Sequence, residues 1–276
     1  MTTWFITGCS TGLGRALAEA VLAAGHRAVV TARDRASVED LVRRHPERAL
    51  ALTLDVTDLD RIPVAVREAE SRFGGIDVLV NNAGYGFRSA VEEADLDDVD
   101  RLFSTHVRGP VRLIQAVLPQ MRARGSGTIV NVSSCGVHLA GAGSGFYAGA
   151  KAALEGVSNS LRKEVAPLGV DVIVIEPGGF RTDFSGRSLT QSAEPIDAYA
   201  GTAGLRRKEN DTAHGTQPGD PARAAQAIIA AVEAPESPTF LLLGSDAVDI
   251  VVPVLETQLR EIERWKHLTV STDYAS

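Results

Sequence analysis

Short runs of apolar residues alternate with amphipathic stretches along almost the whole chain. TWFIT (3–7), RAVVTA (27–32), ALALTL (49–54), IDVLV (76–80), TIVNVS (128–133), VDVIVIE (170–176) and FLLLG (240–244) read as strands. Each is a near-continuous apolar run, the pattern expected when both faces of a parallel sheet are covered. Between them, helical periodicity is read over 15–24, 35–45, 58–73, 147–166, 222–233 and 246–263. A longer helical region spans 96–124 with Pro110 and Pro119 inside it, so a kink or break is expected near each. The alternation predicts an α/β fold: a single-domain, Rossmann-type, doubly wound parallel sheet of about seven strands with helices on both faces. One segment departs from this regularity. Residues 179–219 are long, polar and punctuated, and they follow a strand end, so they are read as a substrate loop or lid.

Length and composition narrow the class. A chain of 276 residues, 44% hydrophobic, suits one large domain over the full length, 1–276. The net charge of −7 argues against nucleic acid or an anionic membrane surface as partner. No apolar run is long enough for a membrane span and no signal segment is read, so a cytoplasmic location is expected. Cys9 and Cys135 make no disulfide framework. His26, His45, His214 and His267 show no metal-ligand spacing, the acidic run 92–100 reads as a solvated helix start, and no metal is expected.

Two stretches carry chemistry. Ser134, Tyr147 and Lys151 are spaced by thirteen and four residues. On a helix, Tyr147 and Lys151 share a face, and the ammonium is expected to pull the phenol down from its usual value near 10. A phenol so tuned, with a serine hydroxyl beside it, suits protonation of an alkoxide forming from a carbonyl. The missing half is a hydride donor. Gly8, Gly12 and Gly14 lie between the first strand and first helix, where a glycine turn lets the backbone approach a pyrophosphate.

The turn reads TGxxxGxG, from Thr7 to Gly14. With NNAG (81–84), Ser134, Tyr147, Lys151 and PGxxxT (177–182), it resembles the short-chain dehydrogenase/reductase family over nearly the whole chain. The resemblance implies a nicotinamide-dependent oxidoreductase, a homodimer or homotetramer, and a set of roles. Gly8, Ser10, Thr11, Gly12, Leu13 and Gly14 form the phosphate turn, and Asp55 and Val56 contact adenine. Asn82, Ala83 and Gly84, with Asn81 beside them, line the adenosine ribose. Tyr147 is the proton donor, Lys151 tunes it and holds the nicotinamide ribose, and Ser134 orients the carbonyl, with Ser133 as its competitor. Pro177, Gly178, Phe180 and Thr182 position the nicotinamide. Gly136, His138, Phe146 and Gly179 flank the substrate.

Two positions refine this reading. Ala32 fills the slot of an NAD-selecting acid and Arg33 follows, so NADP(H) is favoured over NAD(H); a one-residue shift would put Asp34 there instead. The family's asparagine in NVxG is here His106, which could keep a proton-relay water, make it pH-sensitive, or mark a repurposed site. The leading expectation is therefore an NADPH-dependent reductase, or reverse alcohol dehydrogenase, for a ketone or secondary alcohol with an apolar body. A redox-neutral epimerase or dehydratase on the same scaffold is the alternative, and a non-catalytic nucleotide-binding regulator the third.

Overall fold

The computed structural model describes residues 1–274 apart from Arg187 and His214, which lie outside the described residues. In chain order its elements are β1 (Thr3–Ile6), α1 (Gly12–Ala23), β2 (Arg27–Ala32), α2 (Glu39–Arg44), β3 (Ala49–Thr53), α3 (Arg61–Phe73), β4 (Val78–Asn81), β5 (Gly86–Arg88), α4 (Leu96–Phe103) and α5 (Gly109–Arg124). Then come β6 (Gly127–Val132), α6 (Gly136–Leu139), α7 (Gly145–Val165), β7 (Val170–Pro177), β8 (Leu189–Gln191), α8 (Ala203–Ala213), α9 (Pro221–Glu233), β9 (Phe240–Leu243) and α10 (Ser245–Val270).

Seven strands form one parallel sheet in the order β3-β2-β1-β4-β6-β7-β9. Alternate residues along each strand serve opposite faces, which is why both sides of a strand such as TWFI are apolar. Trp4 and Ile6 pack with Leu17 and Val21 of α1 and Ile228 of α9. Phe5 packs the other way, with Val66 of α3, Leu113 of α5 and Leu161 of α7. The strand order reverses between β1 and β4, opening a crevice at the carboxyl ends of the strands.

Three expectations are corrected. The helical region 96–124 breaks near Pro110, as expected, but not near Pro119. It breaks at Ser104–Arg108, a wide turn of i→i+5 type between α4 and α5. Pro110 sits in the first turn of α5, where its missing N–H breaks no helical bond, and Pro119 lies inside α5, which continues to Arg124. The segment 179–219 is not irregular throughout: β8 pairs with β5 in a separate parallel ribbon, and α8 follows. A three-residue strand whose partner lies about a hundred positions away carries no local signal. The last helix runs to Val270, beyond the expected 263. Among the described residues no helix is long and apolar enough to cross a membrane.

Candidate active site

A cleft of about 620 Å³ opens at the carboxyl ends of the strands. One end is built by the turn between β1 and α1. Gly8 and Gly12 adopt φ of 72° and 63°, a region that costs other residues strain. Gly14 is needed for a different reason: a Cβ there would lie 2.3 Å from Asn82 Nδ2 and 2.4 Å from the Gly8 carbonyl oxygen. Thr11, at the head of α1, supplies no side-chain cap, so the first N–H groups of the helix face the cleft unclaimed by that hydroxyl.

Thr7 ties this turn to the NNAG segment. Its Oγ1 accepts from the Asn82 and Ala83 amides at 2.9 and 3.0 Å, and Asn82 Nδ2 donates to the Thr7 carbonyl at 2.8 Å. Asn82, Ala83 and Gly84 line the cleft. Asn81 does not: it donates to Asn131 inside the sheet. At the far edge Arg33 lines the cleft, exposed. Asp34 does not line it and instead caps the following turn, accepting from the Ala36 amide at 3.0 Å. The one-residue shift is thereby disfavoured.

At the other end α7 delivers Tyr147 and Lys151 on one face, both buried and both lining the cleft. Lys151 Nζ donates to the Val132 carbonyl at 2.7 Å and lies 5.9 Å from the centre of the Tyr147 ring. Ser134 faces the phenol, whereas the Ser133 hydroxyl is committed to Glu155, which favours Ser134 as the hydroxyl available to a substrate. The protonation pattern differs from the expectation. Burial pushes Tyr147 up to about 12, against the pull of Ser134 and Arg88, and pushes Lys151 down to about 7, against Glu155. Desolvation outweighs the mutual effect of the pair because both groups are inside.

His106 sits on the wide turn with 1% exposure, its ring edge-on to Tyr147 at 5.5 Å. Its Nε2 meets the Tyr85 carbonyl at 2.9 Å, and its Nδ1 is buried without a hydrogen-bond partner. Burial, then the charge of Lys151, holds its pKa well below the usual value. The ring packs over Gly84, where a Cβ would lie 2.5 Å from His106 Cε1.

The short chain dehydrogenase family model matches residues 2–193. The chain belongs to that family. It is 37% identical over 270 residues to the oxidoreductase BOA17 of Botryotinia fuckeliana, covering 98% of both chains. A solved short-chain dehydrogenase from Streptomyces avermitilis superposes with a TM-score of 0.92 at 45% identity, covering 99% of this chain and 100% of that one. The 3-ketoacyl-(acyl-carrier-protein) reductase from Brucella melitensis, solved with NADH, shares the fold at 24% identity with a TM-score of 0.71, over 89% of this chain and 97% of its own.

In this short-chain dehydrogenase the remaining site residues divide. Ser10, Thr11, Leu13, Asp55 and Val56 line the cleft, as do Pro177, Gly178, Gly179, Phe180 and Thr182. Gly136, His138 and Phe146, expected to flank the substrate, do not line it. His138 turns to Glu176 at 2.9 Å, and Phe146 packs on Phe87. In their place the structure brings Tyr85, Phe87, Thr105, Phe184, Ser188 and Thr190 to the cleft. Tyr85 and Phe87 directly follow NNAG, and that adjacency was the one available signal.

The segment 179–219 is held at its neck, where the Gly219 amide donates to the Gly179 carbonyl at 2.9 Å. It is held again by Glu93, which departs from the solvated reading of 92–100: its side chain is fully buried. Glu93 accepts from the Ile196 and Ala90 amides at 2.8 and 2.9 Å and pairs with Arg207. Burial pushes this carboxyl up, but those hydrogen bonds and Arg207 together hold it below the usual range. A depressed carboxylate stabilises above its unfolded pKa, near 4.3, and that stabilisation fades as pH falls through the folded value. Glu93→Gln is expected to make 188–213 more susceptible to limited proteolysis at neutral pH, and acidification of the parent protein is expected to do the same.

Proposed function

We propose that this short-chain dehydrogenase is an NADPH-dependent reductase of a ketone with an apolar body, running in reverse as a secondary-alcohol dehydrogenase. The observation that carries the reading is the convergence of Ser134, Tyr147 and Lys151 on one end of a cleft whose other end is lined by Arg33 and the glycine turn.

The residues present fit a nicotinamide dinucleotide. Gly8 and Gly14 let the turn close tightly on Asn82 and Ala83, and the head of α1 presents N–H groups and the positive end of its dipole. The turn and α1 would hold the pyrophosphate, Asp55 and Val56 the adenine, and Asn82 to Gly84 the adenosine ribose. Lys151 and Tyr147 would hold the nicotinamide ribose, and Pro177 to Thr182 the nicotinamide. The reduced nicotinamide supplies hydride to the carbonyl carbon. Ser134 orients the carbonyl oxygen by a hydrogen bond. Tyr147, a neutral phenol at physiological pH, donates its proton to that oxygen as the alkoxide forms. The lid residues Phe180, Thr182 and Phe184 exclude water from the reacting carbon. Phe87, Phe184 and Tyr85 offer aromatic surface to the substrate body.

His106 was the feature favouring a redox-neutral reaction. Its Nε2 is committed to the Tyr85 carbonyl and burial keeps the ring neutral, which supports a supporting role over that of a second acid. A dimer or tetramer belongs to the same proposal, by analogy with the family.

The cofactor preference is tested at Arg33. A guanidinium on the 2′-phosphate makes charge-assisted hydrogen bonds, so Arg33→Ala is expected to weaken NADPH by about tenfold to a hundredfold and leave NADH unchanged. Fluorescence titration of both cofactors reads this directly; equal losses would remove Arg33 from phosphate recognition.

A further inference from the structure

The role proposed for Lys151 needs an ammonium, yet Lys151 is 4% exposed and burial works against its charge. Glu155 acts in the opposite sense. The two residues stand four apart on α7, the spacing that stacks side chains on one face. Both heads are anchored on consecutive residues at the end of β6. Lys151 Nζ donates to the Val132 carbonyl, and the Glu155 carboxylate accepts a short hydrogen bond from Ser133 Oγ. Behind Glu155 lie Glu176 of β7 and His138 of α6, with the donor atoms of the three within 4.8 Å of one another. His138 Nε2 meets Glu176 Oε2 at 2.9 Å, so the imidazole takes up the second carboxylate while Glu155 accepts from the serine.

We propose that Glu155, tethered by Ser133, is a positioning residue that acts as the charge partner of Lys151 and keeps it an ammonium beside Tyr147. The inference rests on the role of Lys151 given above. The other titratable groups around the lysine do not supply that charge. Tyr147 is a neutral phenol and His106 a neutral imidazole. The Cys135 thiol, pushed up to about 11 by burial and by Asp246 and Glu176, is neutral as well, and Arg206 acts on that thiol. Burial pushes the Glu155 carboxyl above the usual range and Glu176 adds to this, whereas the Ser133 hydrogen bond, His138 and Lys151 favour the carboxylate.

The chain has four lysines, Lys151, Lys163, Lys208 and Lys266, and the last three are exposed. Lysine labelled with ¹³C at Cε therefore gives a small set of NMR signals, assigned with Lys151→Arg. In Glu155→Gln the Lys151 midpoint is expected at lower pH, a roughly tenfold or greater loss of proton affinity. Ser133→Ala, which releases the carboxylate, is expected to move it the same way by less. Glu164→Gln, on the exposed surface of the same helix, is expected to leave it in place. A Lys151 midpoint in Glu155→Gln equal to that of the parent, with the spectrum otherwise folded, would overturn the proposal. The titration uses neither cofactor nor substrate, so its outcome is separate from whether the protein reduces ketones.

Discussion

Tyr147→Phe is expected to lower ketone reduction by about 10²–10⁴-fold, while costing cofactor affinity no more than one hydrogen bond, at most about tenfold. The ring is held by packing: edge-on to His106 at 5.5 Å and tilted on Phe184 at 5.9 Å. Phenylalanine keeps those contacts and removes only the hydroxyl that faces Ser134. With Tyr147 pushed up to about 12, the phenol is protonated across the neutral range, the state a proton donor needs. The reverse reaction needs the phenolate, so alcohol oxidation is expected to speed up as pH rises towards that value while reduction does not. Steady-state rates in both directions, with fluorescence titration of NADPH, check these outcomes. Loss of cofactor binding in Tyr147→Phe would show that the residue shapes the site rather than performs the proton step.

Gly14→Ala is expected to weaken cofactor binding by about tenfold to a hundredfold, the cost of overpacking a site that cannot move aside. The added methyl meets Asn82 Nδ2 at 2.3 Å and the Gly8 carbonyl oxygen at 2.4 Å. Asn82 is fixed by its bonds to the Thr7 and Gly8 carbonyls, and Gly8 by its left-handed backbone, so relief comes only from displacing the turn itself. Gly156, on α7, is the control: no atom lies within 4 Å of its Cβ position, and Gly156→Ala is expected to bind cofactor as the parent does. Equal behaviour of the two variants would show that the turn does not contact the dinucleotide.

The sheet was legible because each buried strand is a local apolar run closed by a glycine, proline or polar residue. Tyr147 and Lys151 were legible as neighbours because α7 is regular enough for a four-residue spacing to fix a common face, whereas Ser134, outside that helix, came from the resemblance. What failed depends on contacts distant in sequence. Phe184, Ser188 and Thr190 reach the cleft only because β8 pairs with β5. Glu93 is buried only because Ile196 and Arg207 return to it. The phenol of Tyr147 was read as lowered by the Lys151 ammonium, whereas burial raises it. Enclosure decides that sign, and enclosure is set by elements far away in the chain. Pro110 marked a break in the region, but that the break is a wide turn at Ser104–Arg108 carrying His106 inward was not legible.

The central claim is tested most directly by titrating the purified protein with NADPH and NADH and then following oxidation of the bound reduced cofactor with a panel of cyclic and aliphatic ketones. The account predicts tighter binding of NADPH than NADH, and oxidation of NADPH by at least one ketone with an apolar body. Tight binding without oxidation across the panel would contradict the reductase and favour a redox-neutral reaction at the same tyrosine.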